Sequence, residues 1–351
     1  MIDLTSDTST RPTPAMRAFM AAAPVGDEQR REDPTVNRLQ EMSAALLGKE
    51  AALFLPSGTM CNAIGFAVNA GRGDAVILDR EAHPNQAEGG GPAWLANVMM
   101  RPIDSPRGIF TADQVRELVT PRTTHAARSS MVSVENTTNH GGGAVWPLER
   151  LAEIRAVCDA HGMRLHMDGA RLLNAVVAAD VPASVFAACA DSVWFDLSKG
   201  LGAPVGGVLA GSAEFIEQAR LLKHLFGGAM RQAGIIAAAG VYALEHHVER
   251  LAEDHANAKL LAAGLAAIPG ITLVHGEPET NIVFFDVAGT GLTPAEIEAG
   301  VNARGIRFGA NYDFKTSIRA VTHLDVSRAD CEAAVAAVRE IVLERAPVTA
   351  A

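Results

Sequence analysis

Seven short apolar runs, at 51–55, 75–79, 98–102, 131–135, 164–168, 193–197 and 207–210, set the folding problem for this chain. Each has the length of a strand, and stretches of helical period lie between several of them. In 148–161, for example, Leu148, Leu151, Ile154, Arg155 and Cys158 recur at helix spacing. Strands alternating with helices predict an α/β fold, a mostly parallel seven-stranded sheet with helices on both faces. After Gly211 the pattern turns to nearly unbroken helix, over 214–225 and 229–265, the second stretch bent or divided near 245–249. A smaller α+β region follows, with strands at 271–275, 281–286 and 319–324, a helix at 294–304 and a last helix from Arg328. The division falls near residue 246, giving a large domain over 1–245 and a small C-terminal domain over 246–351. The Ala-rich tail, 346–351, is expected to fray.

Composition excludes several classes of function. At 351 residues the chain is long enough for two or three domains, and 48% hydrophobic with 20% charged residues is ordinary for a soluble enzyme. A net charge of -10 argues against sequence-blind nucleic-acid binding, which needs a basic face. The four cysteines (Cys61, Cys158, Cys189, Cys331) have no Cys-x-x-Cys spacing and fit reduced thiols. The start, MIDLTSDTSTRPTP, has no signal-peptide pattern, and no apolar stretch has the length of a membrane span. A soluble, cytoplasmic protein is expected.

In a doubly wound sheet, ligands sit at the carboxyl ends of strands. Ser57, Glu135, Asp168 and Lys199 each follow or end a predicted strand, so separate segments point toward one edge. Lys199 stands in Asp196-Leu197-Ser198-Lys199-Gly200-Leu201-Gly202-Ala203-Pro204. A lysine entering a Gly-rich turn straight from an apolar strand is partly desolvated, which favours the neutral amine that condenses with an aldehyde. Gly200 and Gly202 would let the backbone approach a planar cofactor. Alone, the motif also fits a surface lysine beginning a loop. His166-Met167-Asp168-Gly169-Ala170-Arg171 adds a strand-end carboxylate, the partner a pyridinium nitrogen needs, with a cation three residues on; alone it also fits a structural ion pair. Ser57-Gly58-Thr59 opens a helical pattern through Asn69 and suits either a phosphate or a plain N-cap. His83 follows a strand and could stack on a ring and move protons, while Glu88 lies on the Gly-rich turn after it. No metal-ligand spacing is present, so no metal is expected.

Six ordered motifs together resemble the low-specificity L-threonine aldolases, which share the aspartate-aminotransferase-like fold (fold type I) of pyridoxal-phosphate enzymes. They are Asp3-Leu4-x-Ser6-Asp7-Thr8, Glu32-Asp33-Pro34-Thr35-Val36-Asn37-Arg38-Leu39, Pro56-Ser57-Gly58-Thr59-Met60, Asp168-Gly169-Ala170-Arg171, the segment from Leu197 to Pro204, and Thr322-His323-Leu324-Asp325. The resemblance runs to about Val326. It implies pyridoxal 5'-phosphate held covalently by Lys199, with Asp168 on the ring nitrogen, His83 stacked on the ring, and Ser57, Gly58 and Thr59 on the phosphate. It further implies Ser6, Arg171 and Arg319 on the substrate carboxylate, with Arg171 alternatively on the ring's 3-oxygen. Lys223 and Arg231 would reach a neighbouring subunit's phosphate in a homotetramer built from dimers.

Two departures bear on the substrate. Where the family often reads Tyr-Gly-Glu-Asp-Pro this chain has Arg30-Arg31-Glu32-Asp33-Pro34, and an active-site aromatic is missing. Where it often reads Glu-Asn-Thr-His-Asn this chain has Glu135-Asn136-Thr137-Thr138-Asn139-His140, so Thr138 stands in place of a histidine near the substrate hydroxyl. The expected reaction is cleavage of an L-β-hydroxy-α-amino acid to glycine and an aldehyde. The expected base is His83, alone or through a water, with Glu88 and Thr138 beside the substrate and His140 a loop residue. The rivals are a related β-eliminating lyase or transaminase and a non-catalytic amino-acid binder. Threo or allo preference and the natural aldehyde are not legible in the residues.

Overall fold

The computed structural model describes residues 1–309 and 315–345, so the tail over 346–351 lies outside the described residues. Among the described residues, twelve strands run in chain order as β1 Ile2–Leu4, β2 Ala51–Leu55, β3 Ala75–Asp79, β4 Met99–Ile103, β5 Ser129–Glu135, β6 Arg164–Gly169, β7 Ser192–Asp196, β8 Gly207–Gly211, β9 Thr272–Leu273, β10 Ile282–Asp286, β11 Ile306–Phe308 and β12 Ser317–Val321. Seven form one sheet in the order β2-β8-β7-β6-β5-β3-β4. Its pairings are parallel except where β8 runs against both β7 and β2. The central strands β3 and β5 are buried on both faces, as a sheet covered by helices on two sides requires.

The seven apolar runs thus become the seven strands of the α/β sheet, their ends within two residues of those expected. The helices between them are locally specified. Asp33 caps Pro34–Leu47, accepting from the amides of Thr35 and Val36, and Gly48 closes that helix at φ 61°. Ser57 caps Gly58–Asn69, its hydroxyl oxygen accepting from the Met60 amide. The long helical stretch after residue 229 divides into Gly234–His246 and Leu251–Ala266.

Among the described residues, the two largest hydrophobic clusters mark two cores. One is built on the large sheet and reaches Leu251; the other joins Leu4 to residues between Ala258 and Val342. The second core carries the antiparallel sheet β12-β10-β9 and the parallel pair of β1 with β11. A division at 246 would leave residues 2–4 with the large domain. They pair instead with Ile306–Phe308, and Leu4 is buried in the C-terminal core. The N-terminal segment therefore straps one core to the other and carries residues 5–7 past the sheet's C-terminal edge.

Candidate active site

A cavity of about 170 Å³ lies where the parallel strands end, and each strand from β2 to β7 except β4 sends a loop into it. After β2 come Gly58 and Thr59; after β3, His83 and Glu88; at the end of β5, Glu135 and Asn139; at β6, Asp168 and Arg171; at β7, Trp194, Asp196 and Lys199. Lys199, Asp168, His83, Gly58, Thr59, Arg171 and Glu88 are therefore brought together. Ser57 sits at the rim as the helix cap.

Asp168 is buried; one carboxylate oxygen accepts from the Ala170 amide at 3.0 Å and the other from Asn62 Nδ2 at 2.8 Å. Lys199 Nζ lies 3.6 Å from Asp196 Oδ2, and the lysine's carbonyl oxygen accepts from the Thr10 hydroxyl and the Gly202 amide. Gly200 and Gly202 do not make room for a cofactor. A Cβ at either would strike Leu251 or Leu324, so these glycines admit the neighbouring apolar side chains to the lysine's turn. Gly58 is different: a Cβ there would lie 2.4 Å from Trp194 Cη2, holding the first turn of the helix tight against the cavity wall.

His83 begins the short helix His83–Gln86. Its backbone amide donates to Glu135 Oε2 at 2.7 Å, and its ring Nδ1 lies 2.9 Å from Glu88 Oε1. That hydrogen bond to Glu88 raises the imidazole's pKa against the opposing effect of burial, and the Asp168 and Glu135 carboxylates add to the rise. Burial likewise pushes the Glu88 and Glu135 carboxyls upward. Glu88 Oε2 is buried and has no hydrogen-bond partner among the described residues.

Several of the expected site residues have other partners in the folded chain. Arg171 lines the cavity, but its Nε and Nη2 both donate to Asp7 at 2.7 Å. Burial would push the Asp7 carboxyl up; Arg171, Lys199 and Arg319 together hold it well below the usual range. A buried carboxylate demands such a bidentate partner, so Arg171 lines the cavity already paired through two of its nitrogens with the strap. Ser6 is absent from the cavity lining; its hydroxyl oxygen accepts from the Thr8 amide and hydroxyl. Arg319, buried on β12, donates to the Thr5 carbonyl at 3.1 Å and to Asn139 Oδ1 at 2.8 Å, so it reaches the lining through Asn139.

Thr138 faces away from the cavity, into a smaller void of about 10 Å³ that it shares with His140, Gly108 and Gly141. A Cβ on Gly141 would meet the Thr138 hydroxyl at 2.3 Å, so the side chain packs into the space this glycine leaves open. His140 is more than a loop residue. It is mostly buried, and the loop that carries it is clamped by the His275 ring on its carbonyl, by Arg107 on Gly141 and by Thr280 on Gly143. Burial, with Arg319, His83 and Arg171 nearby, pushes its pKa down to about 4.

Lys223 is absent from the cavity lining. It is buried in its own chain, donating to Glu28 and to the Phe54 carbonyl, and a sequestered ammonium cannot reach a neighbour. Arg231 is exposed and pairs with Asp27 at 2.9 Å. Sequence reasoning missed Asp7, Asn62, Asn139, Trp194 and Asp196. Asp7 and Asn139 stand inside or beside motifs already noticed, and that adjacency was the available signal; Asn62 reads as an ordinary residue inside a helix.

A mostly parallel seven-stranded sheet with a carboxylate ending one strand and a lysine just past the next defines an enzyme of the aspartate-aminotransferase-like, fold-type-I class. A threonine aldolase from Leishmania major shares the fold with a TM-score of 0.85 at 21% identity, covering 97% of this chain and 100% of that one. A serine palmitoyltransferase from Sphingomonas wittichii does so at 0.74 and 19%, covering 98% and 87%. The family model described as beta-eliminating lyase matches residues 3–290. Low-specificity L-threonine aldolase from Escherichia coli K12 is 42% identical over 93% of this chain and 95% of its own. Low-specificity L-threonine aldolase 1 from Arabidopsis thaliana is 39% identical over 94% and 93%. The chain belongs to the beta-eliminating lyase family, and within it to the low-specificity L-threonine aldolases.

Proposed function

We propose that this lyase cleaves an L-β-hydroxy-α-amino acid, threonine or allo-threonine among them, to glycine and an aldehyde, with pyridoxal 5'-phosphate bound in the strand-end cavity. The observation that carries the reading is the convergence of Lys199, Asp168 and the His83–Glu88 pair in one cavity, on a chain whose relatives are named for that reaction.

The residues present suit that cofactor. Lys199 brings an amine, and Asp168, buried, an anion for a ring nitrogen. The amides of Gly58 and Thr59, in the first turn of a helix, lack intrahelical acceptors and face the cavity where a phosphate could take them. Glu88 Oε2 is a buried oxygen still wanting a donor. Bound there, pyridoxal phosphate supplies an aldehyde that condenses with an amine and an electron-poor ring that accepts the electrons of the broken Cα–Cβ bond. Arg319, acting with Asn139, orients the substrate carboxylate and so the bond to be broken. His83 Nδ1 is occupied by Glu88, which leaves Nε2 to accept the β-hydroxyl proton, directly or through a water. Thr138, turned away, takes no part.

The working form is an oligomer, a homotetramer made of dimers, in the cytoplasm. Arg231 supports it as an exposed cation, and Leu221, Leu225 and Ile235 as large exposed apolar side chains nearby in sequence. No helix among the described residues is long and apolar enough to cross a membrane. The two cores support two domains divided near residue 246, with the N-terminal strap added to the smaller one. The reaction is tested by incubating the protein with a panel of β-hydroxy amino acids. Glycine and aldehyde in equal amounts are expected; ammonia and a keto acid would place the enzyme among the β-eliminating rivals.

A further inference from the structure

Beneath the cavity runs a chain of buried polar side chains that the reaction as described leaves unused. Asn62, fully buried in the helix Gly58–Asn69, is its centre. Its Nδ2 donates to Glu88 Oε1 at 2.7 Å and to Asp168 Oδ2 at 2.8 Å. Its Oδ1 accepts from Trp194 Nε1 at 2.7 Å and lies 3.3 Å from His166 Nε2. His166 Nδ1 is 2.8 Å from Ser192 Oγ, which accepts from Asn69 Nδ2 at 2.7 Å.

Donor direction follows by elimination. The oxygens of Glu88 and Asp168 that face Asn62 accept, and an indole N–H only donates, so the amide can stand one way round. His166 must then carry its proton on Nε2, leaving Nδ1 to accept from the Ser192 hydroxyl. The ring stays neutral, because burial pushes its pKa down to about 3. Gly65 holds the ring in place: a Cβ there would lie 2.5 Å from His166 Cε1. At the other end, Glu88 Oε1, steadied by Asn62, accepts the hydrogen bond that His83 Nδ1–H donates.

We propose that Asn62 is a positioning residue: through this locked chain it fixes Asp168 and Glu88, and through Glu88 it sets the neutral tautomer of His83 with Nε2 unprotonated toward the substrate. The proposal rests on His83 being the base. It needs Asn62 rather than any small polar residue, because one amide must donate twice on one side and accept twice on the other. A carboxamide at this point also keeps two carboxylates apart without adding charge, where a third carboxylate would repel both.

The test uses the holoenzyme with ¹⁵N-labelled histidine, whose ring nitrogens report tautomer and protonation in the resting state. The groups that face His83 are Glu88, Asp168, Glu135 and His140. In the unmodified protein neutral His83 should carry its proton on Nδ1. In Asn62→Ala the Nε2–H tautomer should appear, His83 should titrate at lower pH as its bond to Glu88 loosens, and kcat should fall about tenfold or more with KM changed far less. His166→Gln keeps a donor at the place of Nε2 and should leave the tautomer and rate close to normal, whereas His166→Leu should behave like Asn62→Ala. An unchanged His83 titration in Asn62→Ala, or equal damage from His166→Gln and His166→Leu, would reduce the chain to packing. Should Asn62→Ala not fold, the two His166 variants decide alone. The ring signals need no turnover, so a wrong tautomer defeats this proposal even if aldehyde is made. A correct tautomer without aldehyde defeats the proposed reaction instead.

Discussion

His83 shares its surroundings with three carboxyl groups, so its charge decides at which pH the cavity works. Its pKa is raised by the hydrogen bond to Glu88 first, then by Asp168, Glu88 and Glu135 as charges. A base must be neutral to act, so activity should rise as pH passes through a value above the ordinary 6.5 of an imidazole. Glu88→Gln removes the leading cause, and the acid limb of kcat/KM should move down; a limb that stays in place would mean another group titrates. His83→Asn should cut cleavage by roughly 10²–10⁴-fold, the scale of general acid–base catalysis. His140→Ala should cost far less, and equal damage with normal cofactor content would make His140 the base. Arg319→Ala should raise KM and lower kcat together, at about 2–5 kcal/mol in kcat/KM, because a buried charge-assisted contact is lost and Asn139 is released. Near-normal kinetics would show that another cation holds the carboxylate.

At the scale of elements, the helix Gly58–Asn69 links the end of the cavity lined by Gly58 and Thr59 to the buried Asn62 beneath it. Gly58→Ala ought to favour the helix by up to about 1 kcal/mol on propensity alone. The added Cβ would lie 2.4 Å from the buried Trp194 ring, whose Nε1 is tied to Asn62, and such overpacking costs typically 1–3 kcal/mol. The clash wins: the variant should melt lower and bind the cofactor more weakly in equilibrium dialysis, and tighter binding would show that the ring yields freely. Strand positions were legible because an apolar run of strand length between turn residues has few other uses. Lys199, Asp168, His83 and Glu88 were legible because they follow strand ends, where topology collects side chains. Which way a side chain turns was not. Thr138 stands beside Asn139 in sequence yet lines a different void, and Arg171 is paired with Asp7, 164 residues away. Asn62 was illegible for the same reason: its four partners come from three other segments and only meet after folding. The antiparallel direction of β8 and the pairing of β1 with β11 depend on partners that no local pattern names.

For the whole molecule, the proposed oligomer makes predictions of its own. Arg231 is exposed and its pair with Asp27 is a surface one, worth little to the monomer. Leu221 and Leu225 are more than two-thirds exposed on one face of the helix Ala213–Leu225. Arg231→Ala should weaken cofactor retention, and Leu221→Glu with Leu225→Glu should loosen the oligomer, both read by native mass spectrometry. An active, cofactor-saturated monomer would refute a site shared between subunits. Lys223 serves a different purpose, neutralising buried Glu28 behind β2, and Lys223→Ala should destabilise the fold rather than the assembly.

The central claim is that the strand-end cavity is the active site and Lys199 its covalent anchor. Borohydride reduction of the yellow holoenzyme, followed by peptide mapping, tests it in one step. The pyridoxyl group should be found on Lys199, in the peptide that carries Asp196 and Gly200; its recovery on any other lysine, or a reduced protein carrying none, would contradict the assignment.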